Sequence, residues 1–383
     1  MLKLLKNITV YAPKALGVKD MLIANDKIFA IEDNLDHFAS VSQVFDFSDQ
    51  IVTPGLIDQH IHIAGAGGTN GFSTMTPEVT LSELIACGTT TVVGLLGTDG
   101  KNRNIRTLYA KAKALDQEGI SAYMYCGYYG IDSVTITDSI QGDMIYIDKV
   151  LGCKIAISDI RSSYPTALEL LRKVSEVRVG GGLANKKGIL HIHLGNLDSK
   201  LEVLFELVNK YQFPIEHISP THVGRTKALF EQAIEFAKLG GTIDITTGAS
   251  KFTEPHEAVL YGIEKGASID NMTFSTDGHA GLKKVDANGK IIGAKNAPVD
   301  QNLAEVVQLI KKGGLAIEEA FKLITTNPAR NLGLEHKGKV AVGCDADLCV
   351  FNQNLDLTNV FARGQHMMKD KQIIVKGTFE LSS

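Results

Sequence analysis

The feature that most constrains this chain is an alternation. From residue 56 onward, short runs rich in apolar and β-branched residues recur, each followed by a longer stretch of helical periodicity. The expected strands are 56–62 (LIDQHIH), 89–96 (TTTVVGLL), 121–128 (SAYMYCGY), 152–158 (GCKIAIS), 189–194 (ILHIHL), 218–223 (ISPTHV), 242–247 (TIDITT) and 271–277 (NMTFSTD), eight in all. The stretch 76–87 predicts a helix, with Thr76 as its cap, Pro77 in its first turn and Val79, Leu81, Leu84 and Ile85 along one face. Residues 104–118, 166–177, 197–211, 226–239 and 255–265 read the same way, and 316–334 reads as closing helices. Eight such units predict an α/β fold, a closed (β/α)8 TIM-type barrel. An open doubly wound sheet competes, but no GxGxxG opens a helix after the first strand, which counts against its dinucleotide-binding form.

The two ends have a different texture. Residues 1–53 and 337–383 carry short alternating runs broken by polar turns, with no amphipathic helix. Neither piece could bury a face alone, so they are expected to pair into one small discontinuous β-sandwich-like domain, leaving 54–336 as the barrel.

Composition excludes several kinds of function. With a net charge of −4 and no clustered Lys/Arg face, nucleic-acid binding is not expected. No run of 18 apolar residues suggests a membrane span, and MLKLLKNITVYAP is too short and strand-like for a secretory h-region. The five cysteines, Cys87, Cys126, Cys153, Cys344 and Cys349, lack any CxxC spacing and read as reduced, buried thiols of a cytoplasmic protein.

In a barrel of this kind the site lies at the C-terminal ends of the strands. There the first strand offers His60 and His62, the fifth His193, the sixth His222 and the eighth Asp277. Residues two apart in a strand share a face, so His60 and His62 converge on one point. Each of these has an ordinary structural reading, but five metal-favouring side chains at the ends of four strands point to a metal site. His191 shares a face with His193, so one of the two lies deeper. Lys154 stands inside the apolar run GCKIAIS, where an ammonium would be desolvated. It reads either as a structural lysine paired with a buried carboxylate such as Asp277, or as a lysine carbamylated by carbon dioxide, whose two oxygens could bridge two metal ions.

The order HxH, Lys, His, His, Asp after PGLIDQHIH is similar to that of the amidohydrolase superfamily of binuclear metal hydrolases. Within it the chain most resembles the isoaspartyl dipeptidases, through TPEVTL, GLLGTDG, CKIAISDIRS, PTHVGR, LFEQAIEFAKLGGTIDIT, STDG and VKGTFE. The resemblance implies two divalent cations, zinc being the expected ion. His60, His62 and Asp277 would hold one and His193 and His222 the other, with carbamylated Lys154 between them. It implies Asp277 as the group that takes and returns the proton, and Tyr129 as a hydrogen-bond donor to the developing oxyanion. It also implies a homo-oligomer.

Arg161 and Arg225 follow the fourth and sixth strands closely enough to overhang the metal site, and guanidinium forks suit carboxylates. In the family such arginines bind the carboxylate of a β-linked aspartyl unit. Thr98 and the glycine-rich turn IHIAGAGGTNG, including Gly67, line the pocket. Two positions depart from the family: Thr69 stands where a glutamate binds the substrate's amino group, and Gly281 where a serine contacts substrate. A substrate ammonium without its partner would lose a few kcal/mol, although Asn70, Glu78 or His279 could compensate. The expected function is hydrolysis of an amide in a small-molecule substrate, an isoaspartyl dipeptide first, with N-acyl-amino-acid or cyclic-amide hydrolysis as the alternative. A barrel that merely binds a carboxylated ligand would take up no metal.

Overall fold

The computed structural model describes residues 2–67, 71–248, 251–288 and 290–380. Eight strands form one parallel sheet in sequential order. They are β1 (Leu56–Ile61), β2 (Thr89–Gly94), β3 (Ser121–Gly127), β4 (Val150–Ile157), β5 (Ile189–Leu194), β6 (Ile218–Thr221), β7 (Ile243–Thr246) and β8 (Met272–Ser275). The ring closes at its C-terminal rim: Ile61 bridges Gly278, while the backbone N–H groups of Asp277 and His62 donate to His60 O and Gly278 O. Every residue of these strands but Tyr123 is buried, as expected of parallel strands covered on both faces.

Strand β1 is irregular, its register with β2 shifting between Asp58 and Ile61. As a result Gln59 and His60, consecutive in sequence, both reach partners across the barrel: Gln59 Nε2 donates to Asp244, and His60 Nδ1 meets His191. Below the rim, the Asp244 carboxylate accepts from Gln59, Thr221, Thr273 and Ser275, a buried polar plug whose donors are satisfied together.

Outside the strands run α1 (Leu81–Ala86), α2 (Ile105–Glu118), α3 (Ile140–Tyr146), α4 (Ala167–Leu183), α5 (Glu202–Asn209), α6 (Lys227–Lys238), α7 (Pro255–Glu264) and α8 (Gln301–Lys311), followed by Ile317–Lys322 and Thr326–Leu332. Helix α1 begins later than the Thr76–Pro77 pair predicts. Its cap is Thr80, whose N–H and hydroxyl both donate to Glu83. Thr76 is used elsewhere: its hydroxyl accepts from Ala66 N–H and donates to His279 O, tying two rim loops together. Helix α3 and a hairpin of Gly281–Val285 with Ile291–Asn296 were not among the expected elements.

The terminal pieces build one mixed nine-stranded sheet. The first 54 residues supply Leu2–Tyr11, Ala15–Ala24, Lys27–Glu32, Gln43–Asp46 and Ile51–Pro54; the C-terminal part supplies Leu348–Phe351, Leu357–Ala362, Gln365–Lys369 and Gln372–Ile373. Ile51–Pro54 joins them, pairing parallel with Leu2–Tyr11 and antiparallel with Leu348–Phe351. Leu5, Ile8 and Val10 share one core with Leu348, Val350 and Phe361. The passage into β1 is tight: Gly55 N–H donates to Asp347 O, and a Cβ on Gly55 would lie 2.2 Å from Thr90 Oγ1. All five cysteines are buried and unpaired, and among the described residues no helix is long and apolar enough to cross a membrane.

Candidate metal centre and substrate pocket

Several of the expected site residues lie just beyond the strands rather than on them. β6 ends at Thr221 and β8 at Ser275, so His222 and Asp277 occupy the turns that follow. Both adopt left-handed backbone conformations, with φ of 63° and 53°, as do Ser158 (51°) and His279 (61°). Such conformations cost non-glycine residues energy and gather where a site needs side chains re-aimed.

The result is a compact cluster. Asp277 Oδ1 lies 3.2 Å from His60 Nε2 and 3.3 Å from His62 Nε2, and one donor atom from each of the three residues falls within 4.8 Å of the others. The His222 ring centroid is 4.7 Å from that of His60 and 4.6 Å from that of His193. Neighbours orient the rings. His60 Nδ1 is 2.8 Å from His191 Nε2, His222 Nδ1 is 2.6 Å from Thr246 Oγ1, and His193 Nε2 is 2.8 Å from Asp159 Oδ2. His191 is thus the deeper member of its pair, stacked on Tyr125.

Burial, then the nearby Lys154, pushes His60 down to about 3; burial and Arg225 hold His193 and His222 well below the usual imidazole range. Burial would raise the Asp277 carboxyl, but His222, His60 and His62 hold it well below the carboxylate range. Neutral imidazoles around an ionised carboxylate are a donor set for a divalent cation, and they need no proton loss to bind one. The nitrogen of His62 that faces away from Asp277 is buried without a partner among the described residues.

Lys154 lies fully buried on β4. Asp277 pairs with histidines rather than with it, leaving Nζ 3.4 Å from His60 Nδ1. Burial brings its amine down to about 7. The neutral form, the one that can react with carbon dioxide, is therefore available at physiological pH.

A cavity of about 310 Å³ opens over the cluster, its wall including His62, Asp277, Tyr129, Arg161, Arg225, Thr98, Gly67 and Gly281. Burial keeps the Tyr129 phenol protonated, and its Oη sits 2.6 Å from His193 Nδ1. Arg161 lies over the Tyr129 ring at 5.4 Å. Arg225 is largely buried; among the described residues its Nε has no partner and its closest carboxylate, Asp159, is 3.9 Å away. Thr69 and Asn70 lie outside the described residues. Glu78 pairs with Lys111, and His279 is engaged by Pro77 O and Glu83; neither residue lines this cavity, so the expected compensation from them has no support in the geometry.

Sequence reading missed Asn196 and Leu282, which also line the cavity, and Asp159, which touches both His193 and Arg161. Asp159 stands in the quoted segment CKIAISDIRS, two residues before Arg161, and that proximity was the available signal.

The amidohydrolase family model matches residues 51–379. The structure is similar to that of β-aspartyl dipeptidase from Fervidobacterium islandicum AW-1, solved in complex with the β-Asp-Leu dipeptide. The TM-score is 0.90 and the identity 42%, covering 97% of this chain and 98% of that one. Dihydropyrimidinase from Brevibacillus agri NCHU1002 shares the fold at a TM-score of 0.68 and 17% identity, covering 98% of this chain and 97% of that one. Among curated relatives, dihydroorotase from Aquifex aeolicus (strain VF5) is 26% identical over 88% of this chain and 86% of its own length. Barrel, donor cluster and family match agree, and the chain belongs to the amidohydrolase family of metal-dependent hydrolases.

Proposed function

We propose that the protein hydrolyses the amide bond of β-aspartyl dipeptides. The observation that carries this reading is the pairing, in one cavity, of a buried metal-donor cluster with two guanidinium groups, one of them short of partners. The 42% identical neighbour bound to β-Asp-Leu supports the substrate class.

His60, His62 and Asp277 would hold one divalent cation, and His193 and His222 a second, with the Lys154 carbamate between them; zinc suits these donors. When bound, the pair supplies Lewis acidity toward the scissile carbonyl and a hydroxide nucleophile near neutral pH. The chain's own residues do the rest. Asp277, in the cavity wall beside His60 and His62, accepts the proton of the attacking water and later returns it to the leaving amine. Tyr129 keeps its proton and donates it in a hydrogen bond to the carbonyl oxygen as negative charge builds. Arg161 and Arg225 bind substrate carboxylate and set the scissile bond against the cluster, which lowers the barrier through orientation. Thr98, Gly67 and Gly281 shape the remaining wall.

A second reading, hydrolysis of an N-acyl amino acid or a cyclic amide, rests on the dihydroorotase relatives at 23–26% identity and on Thr69 in place of glutamate. One panel separates the two. Metal-reconstituted protein is assayed with β-aspartyl-leucine, its N-acetyl derivative and cyclic amides. Turnover of the free dipeptide is expected, and turnover of the blocked and cyclic compounds alone would overturn the dipeptidase reading.

A further inference from the structure

The geometry points to Asp159 as a positioning residue that couples the metal ligand His193 to the substrate-binding Arg161 through a single carboxylate. Asp159 is buried, 4% exposed, in the loop after β4. Its Oδ1 accepts from the Arg161 backbone N–H at 2.8 Å and from Arg161 Nε at 2.9 Å. Its Oδ2 lies 2.6 Å from the other arm of the same guanidinium and 2.8 Å from His193 Nε2. Arg225 adds a more distant charge at 3.9 Å. A carboxylate facing an imidazole nitrogen requires that nitrogen to carry the proton, so the lone pair of His193 is fixed on Nδ1. Nδ1 is the nitrogen nearer the Tyr129 hydroxyl, at 2.6 Å against 3.2 Å for Nε2, and Tyr129 lines the cavity. The same oxygen that selects this tautomer also holds the fork of Arg161 over the Tyr129 ring. Carboxylate recognition and readiness of the ligand nitrogen thus depend on one group, and this inference rests on the roles given above to His193 and Arg161.

Asp159→Asn tests it with almost no change of shape. An amide presents one oxygen and one NH2, whereas all the partners of Asp159 are donors. If the NH2 faces His193, the ring must move its proton to Nδ1 and surrender the lone pair there; if it faces the Arg161 Nε side, the guanidinium loses its anchor. Metal titration of stripped protein, read by elemental analysis after gel filtration, is expected to show two equivalents in wild type. The variant should bind one of them at least ~10-fold more weakly. With β-aspartyl-leucine, KM should rise in the same variant as Arg161 loosens. Arg161→Met should raise KM while leaving both metal equivalents tight, since it removes two side-chain donors from Asp159 and spares the His193 contact. Asp159→Ser, which keeps a small acceptor in the turn but has no amide to turn around, is measured beside it with the same expected losses. Wild-type affinity for both equivalents in every folded variant of the two overturns the inference, even if the melting temperature falls. Wild-type protein that binds no metal would instead sink the proposed function, and wild type that binds two metals but spares the dipeptide would sink only its substrate.

Discussion

Arg225→Met separates carboxylate recognition from metal binding. Among the described residues this guanidinium makes no ion pair shorter than 3.9 Å, and its Nε is buried without a partner. Removing it leaves no carboxylate stranded, because Asp159 retains Arg161 and His193. It also relieves the pressure that Arg225 adds to burial in lowering His193 and His222. The melting temperature is therefore expected to stay within a few degrees of wild type or to rise, with metal content unchanged. The substrate complex behaves oppositely. A hydrogen bond to a charged group contributes about 1.5–3 kcal/mol, so kcat/KM for β-aspartyl-leucine should fall by a factor of about 10 to 150. Repeating the assay with β-aspartyl-leucinamide tells which carboxylate is held. A much smaller loss with the amide assigns Arg225 to the leucine carboxylate, and an equal loss assigns it to the aspartyl one. A fully metallated variant with kcat/KM close to wild type on both compounds would refute the reasoning.

Other substitutions probe the remaining links. Lys154→Ala should lower bound metal below two per chain and reduce kcat by more than ~100-fold, with partial rescue by short carboxylates; full metal content and activity would exclude a bridging carbamate. Glu83 should contribute to stability in a pH-dependent way, because His279 and the Thr80 N–H hold its carboxyl down to about 2 against partial burial. A depressed carboxyl stabilises the fold above its unfolded pKa of about 4.3 and loses that contribution as pH falls toward 2. The melting-temperature deficit of Glu83→Gln should therefore be largest near neutrality and vanish in acid, and a pH-independent deficit would contradict this. Gly55→Ala places a methyl 2.2 Å from Thr90 Oγ1 and 2.9 Å from Asp347 Cβ. Overpacking of this kind costs about 1–3 kcal/mol, which calorimetry would detect as a lowered melting temperature.

The barrel and most of the donor cluster could be read from the chain, for a local reason. A strand buried on both faces is an apolar run, and a histidine, lysine or aspartate within it or just past its end has no packing reason to be there. His60, His62, Lys154, His193, His222 and Asp277 all stand out in this way, and the structure brings them to one rim. Element ends were less legible. Thr76 and Thr80 are both plausible caps by local chemistry; the choice fell to Thr80 because the Thr76 hydroxyl is taken by His279 O, a partner 203 residues away. Strict alternation would also have put Gln59 and His60 on opposite faces, whereas the register shift in β1 lets both reach across the barrel.

What the sequence determined by itself is the architecture and the kinds of atom available for chemistry, since both follow from periodicity and side-chain type. What only the tertiary structure decided is which group each histidine nitrogen faces, which arginine is already satisfied and which is not, and that Asp159 stands between His193 and Arg161. A loop carboxylate carries no periodic signal, and its meaning comes from an imidazole 34 residues away that the barrel brings within 2.8 Å.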